Sequence, residues 1–132
     1  YDIQTSMAGS ETNQQAVTIG NWQAETYGSE WTEVKFDLTS HLNAIGEYEI
    51  HFEPLVRDYT SNEPSGLEFS DWTLELYGRE APESIQQLRD KNGFRITRSQ
   101  QTLDEFPSIL KIKIRSKPGK SAGDIVLKRI TY

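Results

Sequence analysis

Six aromatic rings could do chemistry because of where they sit. Trp22, Tyr27, Trp31, Tyr59, Trp72 and Tyr77 fall near the ends of apolar segments or inside polar ones. A flat ring exposed at the rim of a fold can stack on the apolar face of a sugar while neighbouring polar groups bond its hydroxyls. Three of the six lie in stretches rich in Gly, Asn and Ser. Trp22 follows Gly20-Asn21, Tyr27 precedes Gly28-Ser29, and Tyr59 sits inside the run 57–66 (RDYTSNEPSG). Arg57, Asp58 and Asn62 share that run and supply polar partners. Trp22, Tyr27, Arg57, Asp58, Tyr59 and Asn62 are therefore the candidate ligand-binding residues. Trp31 and Trp72 border breaks in strand alternation and read as core residues.

Other chemistries find less support. His41 and His51 are the only histidines, and no nucleophile–base arrangement is visible around them. His51 alternates with Glu49 and Glu53 and reads as a solvated strand residue. No His pair has zinc-ligand spacing. Glu33, Asp37, Glu47, Glu49 and Glu53 alternate with apolar residues, as Lys111, Lys113, Arg115 and Lys128 do elsewhere. That pattern predicts opposite-charge pairs across strands on a wet face, not the convergent carboxyl pair of a glycosidase. No catalytic residue is assigned, and the chain reads as non-enzymatic. Gly119-Lys120-Ser121 lacks the upstream glycine of a phosphate loop and reads as a turn. Asp58, Asn62 and Glu63 offer hard oxygens in one loop, which leaves structural calcium as the cofactor to test, although the spacing is not that of an EF-hand.

The elements that must hold these residues are strands. Residues 48–53 (YEIHFE) and 110–115 (LKIKIR) alternate apolar and polar residue by residue, the period of a half-buried strand. Further strands are expected at 16–19, 31–38, 67–77, 94–97 and 124–131, separated by Gly, Pro, Asn and Ser. In 67–77 the alternation slips between Phe69 and Trp72. A bulge at Ser70-Asp71 would restore it and place Leu67, Phe69, Trp72, Leu74 and Leu76 inside. Residues 79–93 allow two readings: a short helix from the capping-box pair Ser84 and Gln87, or a hairpin ending at Asn92-Gly93. Residues 1–14 are polar and aperiodic and read as a linker or edge arm, with one sandwich domain over 15–132. Seven or eight strands with these turn spacings predict an all-β, antiparallel, jelly-roll-like β-sandwich.

Composition narrows the partners. The chain has 132 residues, enough for one core. Its net charge of −6 argues against duplex nucleic acid, which needs clustered Lys and Arg. No apolar run approaches the ~20 residues of a membrane-spanning helix, so membrane insertion is not expected. Cysteine is absent, which excludes disulfides and Cys-based zinc sites. Tyr1 is not an initiator Met, so any export signal is expected upstream.

Five segments in order carry a family likeness: 19–22 (IGNW), 31–38 (WTEVKFDL), 46–52 (GEYEIHF), 66–78 from GLEF to Gly78, and 121–127 (SAGDIVL). With these, residues 16–131 resemble the galactose-binding-like β-sandwich modules, notably those at the C-terminus of secreted bacterial α-L-fucosidases and related glycan-degrading enzymes. The resemblance implies a non-catalytic carbohydrate-binding module of an exported bacterial protein, extracellular or periplasmic. Its partners would be a glycan and an attached or neighbouring catalytic domain. Many modules of this kind hold a structural calcium. Others bind no known ligand, so the alternative is a structural or protein-interaction sandwich without sugar affinity. The segment 79–93 departs from the family pattern.

Overall fold

A computed structural model of the chain describes residues 14–23, 26–55, 65–117 and 122–130. Within them the alternating segments become nine strands: β1 (Gln14–Trp22), β2 (Thr32–Asp37), β3 (Gly46–Pro54), β4 (Leu67–Leu76), β5 (Arg79–Glu80), β6 (Ile85–Gln87), β7 (Gly93–Arg98), β8 (Ser108–Ser116) and β9 (Gly123–Ile130). The expected linker 1–14 lies outside the described residues except for Gln14, which opens β1.

The strands form two antiparallel sheets. One has five strands in the order β1-β9-β3-β7-β6; the other has four in the order β2-β8-β4-β5. The chain passes between sheets at almost every step up to β4, and β8 and β9 later insert beside β2 and β1. That ordering is a jelly-roll pattern, and the protein is an all-β sandwich. The short edge strands β5 and β6, both within 79–93, bring the count to nine.

The core is what alternation predicts. Leu110, Ile112 and Ile114 of β8 face Tyr48, Ile50 and Phe52 of β3, with Phe94 and Ile96 of β7 and Ile125 and Leu127 of β9 beside them, all buried. Each such side chain contributes roughly 1.5–3 kcal/mol by leaving water. A chain of tilted or edge-on rings crosses this core from Trp22 to Phe52, Phe69, Phe94 and Trp72, with centroid spacings of 6.1, 4.8, 5.3 and 5.2 Å.

The β4 bulge forms where the alternation slips. Ser70 pairs with Lys113 and Thr73 with Lys111, so β4 carries one extra residue across that step. Asp71 absorbs it at φ 54, and Leu74 and Leu76 return to the core. In 79–93 the hairpin reading holds. Pro82–Ser84 make a single 3-10 turn with no side-chain cap, and β6 pairs with β7. Pro82 at the start and buried Ile85 just after leave no length for a helix.

Candidate functional site

The two ends of the sandwich differ. At one end lie Trp22, Pro54, Leu67, Gly93, Ser116 and Gly123, the strand termini nearest the loop run favoured by sequence. At the other lie Asp37, Gly46, Arg98 and Ile130. The expectation that Trp22 and Tyr27 present their rings to solvent is corrected here. Trp22 is 1% exposed and Tyr27 7%. Trp22 packs on Phe52 and closes over Gly123, where a Cβ would collide with the indole and with Glu53 O. Burial pushes the Tyr27 phenol above its ordinary value. Both rings are core. Arg57, Asp58, Tyr59 and Asn62, together with the calcium candidate Glu63, lie outside the described residues.

Of the described rings, Tyr77 is 77% exposed, and the other that reaches water is Trp31, 42% exposed. It lies one step beyond the Thr32–Ile114 pair, beside Arg115. The Arg115 guanidinium sits over the indole, 4.5 Å from its centroid. Arg115 Nε also donates to Glu68 Oε1 across the sheet. Trp31, Arg115 and Glu68 thus form one ordered row on the outer face. A signal was present in the sequence. Trp31 is in phase with the polar residues Glu33 and Lys35, not with Val34, Phe36 and Leu38, so the strand period itself places it on the wet side.

Trp31, Glu68 and Ser70 line a depression of about 360 Å³ with Trp72, Gln87 and Lys91. Trp72 is half-buried, anchored on Phe94. The bulge residue Asp71 sets the stretch of β4 that supplies Glu68, Ser70 and Trp72. The rim carrying Lys91 is pinned. Leu88 N–H donates to Gly93 O and Lys91 N–H to Leu88 O, at 2.8 and 2.9 Å. Asn92 O accepts from Phe52 N–H, and Asn92 Oδ1 accepts from Ser65 N–H. Two indoles, Phe69 and four polar side chains therefore line one concave surface. Such a surface can stack a sugar ring and bond its hydroxyls.

The remaining charges pair as the alternation predicts. Arg95 bridges Glu49 at 2.6 Å and Glu47 at 3.6 Å, Lys128 reaches Glu53 at 3.5 Å, Lys111 reaches Glu75 at 3.2 Å and Lys113 reaches Asp71 at 3.3 Å. His51 Nε2 lies 2.9 Å from Glu49 Oε1. Burial pushes the Glu49 carboxyl up, but the bonds from Arg95 and His51 outweigh it and hold the group below its ordinary value. Among the described residues no group of three or more His, Asp or Glu could hold a metal ion. Comparisons with protein-family models, with curated proteins and with solved structures each found no match.

Proposed function

We propose that this chain is a non-catalytic carbohydrate-binding module, with Trp31 and Trp72 as its stacking rings and Glu68, Ser70, Gln87 and Lys91 as its hydroxyl partners. The observation that carries the reading is the exposed, Arg115-backed indole of Trp31 in the same depression as Trp72. A preorganised ring loses little conformational freedom on binding, so more of its contact energy appears as affinity. The setting proposed with it is an exported bacterial protein in which the module holds an attached glycan-degrading enzyme at its substrate. Calcium belongs to this proposal only through Asp58, Asn62 and Glu63.

A specific observation favours the second reading, a structural or protein-interaction sandwich: the rings of Trp22 and Tyr27 serve the core. Exposed apolar side chains at Val17, Ile45, Leu55 and Tyr77 are what such a domain could offer a partner.

A thermal-shift panel of monosaccharides and glycan fragments, with calcium and then with chelator, separates the two. A ligand at a hundred times its Kd adds about 2.7 kcal/mol, which raises the midpoint by on the order of ten degrees for a domain of this size. Trp31→Ala should abolish a sugar-specific rise while leaving the apo midpoint within a few degrees. A flat panel in the wild type favours the structural reading. A rise that survives both Trp31→Ala and Trp72→Ala removes this depression as the site.

A further inference from the structure

The edges of the two sheets are β1 and β6 in one and β2 and β5 in the other. An edge strand offers unpaired N–H and C=O groups to any strand that can reach them, so folds blunt their edges with charge or with shortness. β2 alternates Glu33, Lys35 and Asp37 along its length. β5 is two residues long, both charged, and β6 is three residues long. β1 has neither device. Its nine residues (QQAVTIGNW) include no charge and no proline. Among the described residues it pairs with β9 alone. A bulge between Thr18 and Gly20 bends it, but from Gln14 to Thr18 its register with β9 is unbroken.

Val17 is a second, independent observation. Among the described residues the large apolar side chains that stand exposed are Val17, Trp31, Ile45, Leu55 and Tyr77, and Val17 alone belongs to a strand. Its partner in β9 is Leu127, a core residue, and directly opposed residues share a face. Val17 therefore lies on the core face, yet it is 47% exposed at the edge. Ala16 and Thr18 beside it are exposed as well. One more strand in the same sheet would cover all three.

We propose that β1 pairs with β1 of a second copy of this chain, antiparallel about a two-fold axis at Val17, joining two five-stranded sheets into one continuous sheet. The axis sets the two Val17 residues against each other on the core face and each Ala16 against a Thr18 on the outer face. Charge selects this edge for self-pairing. The chain carries −6 overall, and a two-fold axis opposes like with like. At β2 an axis through Lys35 would set Glu33 against Asp37; at β1 no charge meets its mate. Main-chain bonds supply the affinity and the Val17 pair sets the register. Gln87 of the Trp31 depression belongs to β6, at the far edge of the sheet from β1. The dimer and the sugar site therefore stand or fail separately.

The test is sedimentation velocity of the full chain from about 5 μM to about 1 mM near physiological salt, with amide NMR spectra over the same range. One strand pair is a small interface, so the expected result is a reversible monomer–dimer equilibrium with a Kd of about 10–300 μM. The amides of residues 16–18 should shift with concentration, and those of 85–87 should not. Val17→Lys puts two like charges on the axis and should weaken the dimer at least tenfold, with the circular dichroism spectrum unchanged. Thr18→Glu puts two carboxylates on one diagonal across the axis and should also weaken it, which keeps the test decisive if Val17→Lys folds poorly. Trp31→Ala should leave the dimer intact. A monomer at every concentration would overturn the proposal, whether the edge is then taken by the chain's own residues 1–13, by another protein or by nothing. So would a dimer that both variants retain, or one whose concentration-dependent shifts lie away from β1.

Discussion

Arg98 shows how much one side chain can hold. It is 1% exposed at the end of β7, with Nε donating to Leu42 O and Nη2 to Leu103 O and Glu105 O, at 3.0, 3.3 and 3.1 Å. Its guanidinium stacks 4.6 Å from the Phe106 centroid. Burial pushes its pKa below the ordinary arginine value, yet an arginine so placed stays charged. It ties the connection before β3 to the connection before β8. Arg98→Ala should take this donor from Leu42 O and Leu103 O, leave Glu105 O with Ser108 Oγ at 3.4 Å, and cost about 3 kcal/mol, read as a drop in the urea midpoint. Gly93 is a second single-residue constraint. A Cβ there would drive into Ile50 O. Gly93→Ala should therefore destabilise by about 1–3 kcal/mol, and denaturant unfolding will read it. Neither cost is legible in sequence. Arg98 looks like any strand-end arginine and Gly93 like any turn glycine, because their partners lie 56 residues upstream for Leu42 and on a neighbouring strand for Ile50.

Among the elements, β4 is the most informative. Its bulge follows from the pattern alone, because Phe69 and Trp72 can share the core face only if one extra residue lies between them. Deleting Asp71 removes the extra residue and leaves Phe69, Trp72, Leu74 and Leu76 in plain alternation on the core face, with Ser70 and Thr73 still opposite Lys113 and Lys111. The deletion should therefore keep cooperative thermal unfolding, and near-UV circular dichroism should keep its fixed aromatic signal. Asp71 itself is exposed and among the described residues pairs with Lys113 alone, so Asp71→Gly should be nearly neutral in the same assays, within about 1 kcal/mol. The hairpin β6–β7 was open between two readings because 84–87 carries both a capping-box pair and β-compatible residues. Pairing with β7 decided it, since Ile85 lies opposite Ile96 and both are buried.

The whole molecule ties charge to stability. Hydrogen bonds from the Thr39 side chain and backbone hold the Asp37 carboxyl below its ordinary value, as Arg95 and His51 hold Glu49. A carboxyl whose folded pKa is depressed adds stability that is present above the unfolded value and is lost as pH falls through the folded one. The stability these two carboxyls contribute should therefore be lost on acidification below the ordinary carboxylate range, and Glu49→Gln should flatten that acid limb of a thermal-midpoint profile. Alternation by itself determined the all-β class, most strand positions, the β4 bulge and the paired charges on the wet faces, because a period of two is local and needs no knowledge of the partner. Tertiary structure decided which aromatic rings meet water. Trp22 and Tyr27 sit in polar, glycine-rich sequence, yet packing against β3 and β9 buries Trp22, and Tyr27 joins the same core. Trp31 looked like core and stands exposed on Arg115. A ring's neighbours in sequence bound its strand phase, but what covers its face comes from strands far along the chain, and only the assembled sandwich brings those together.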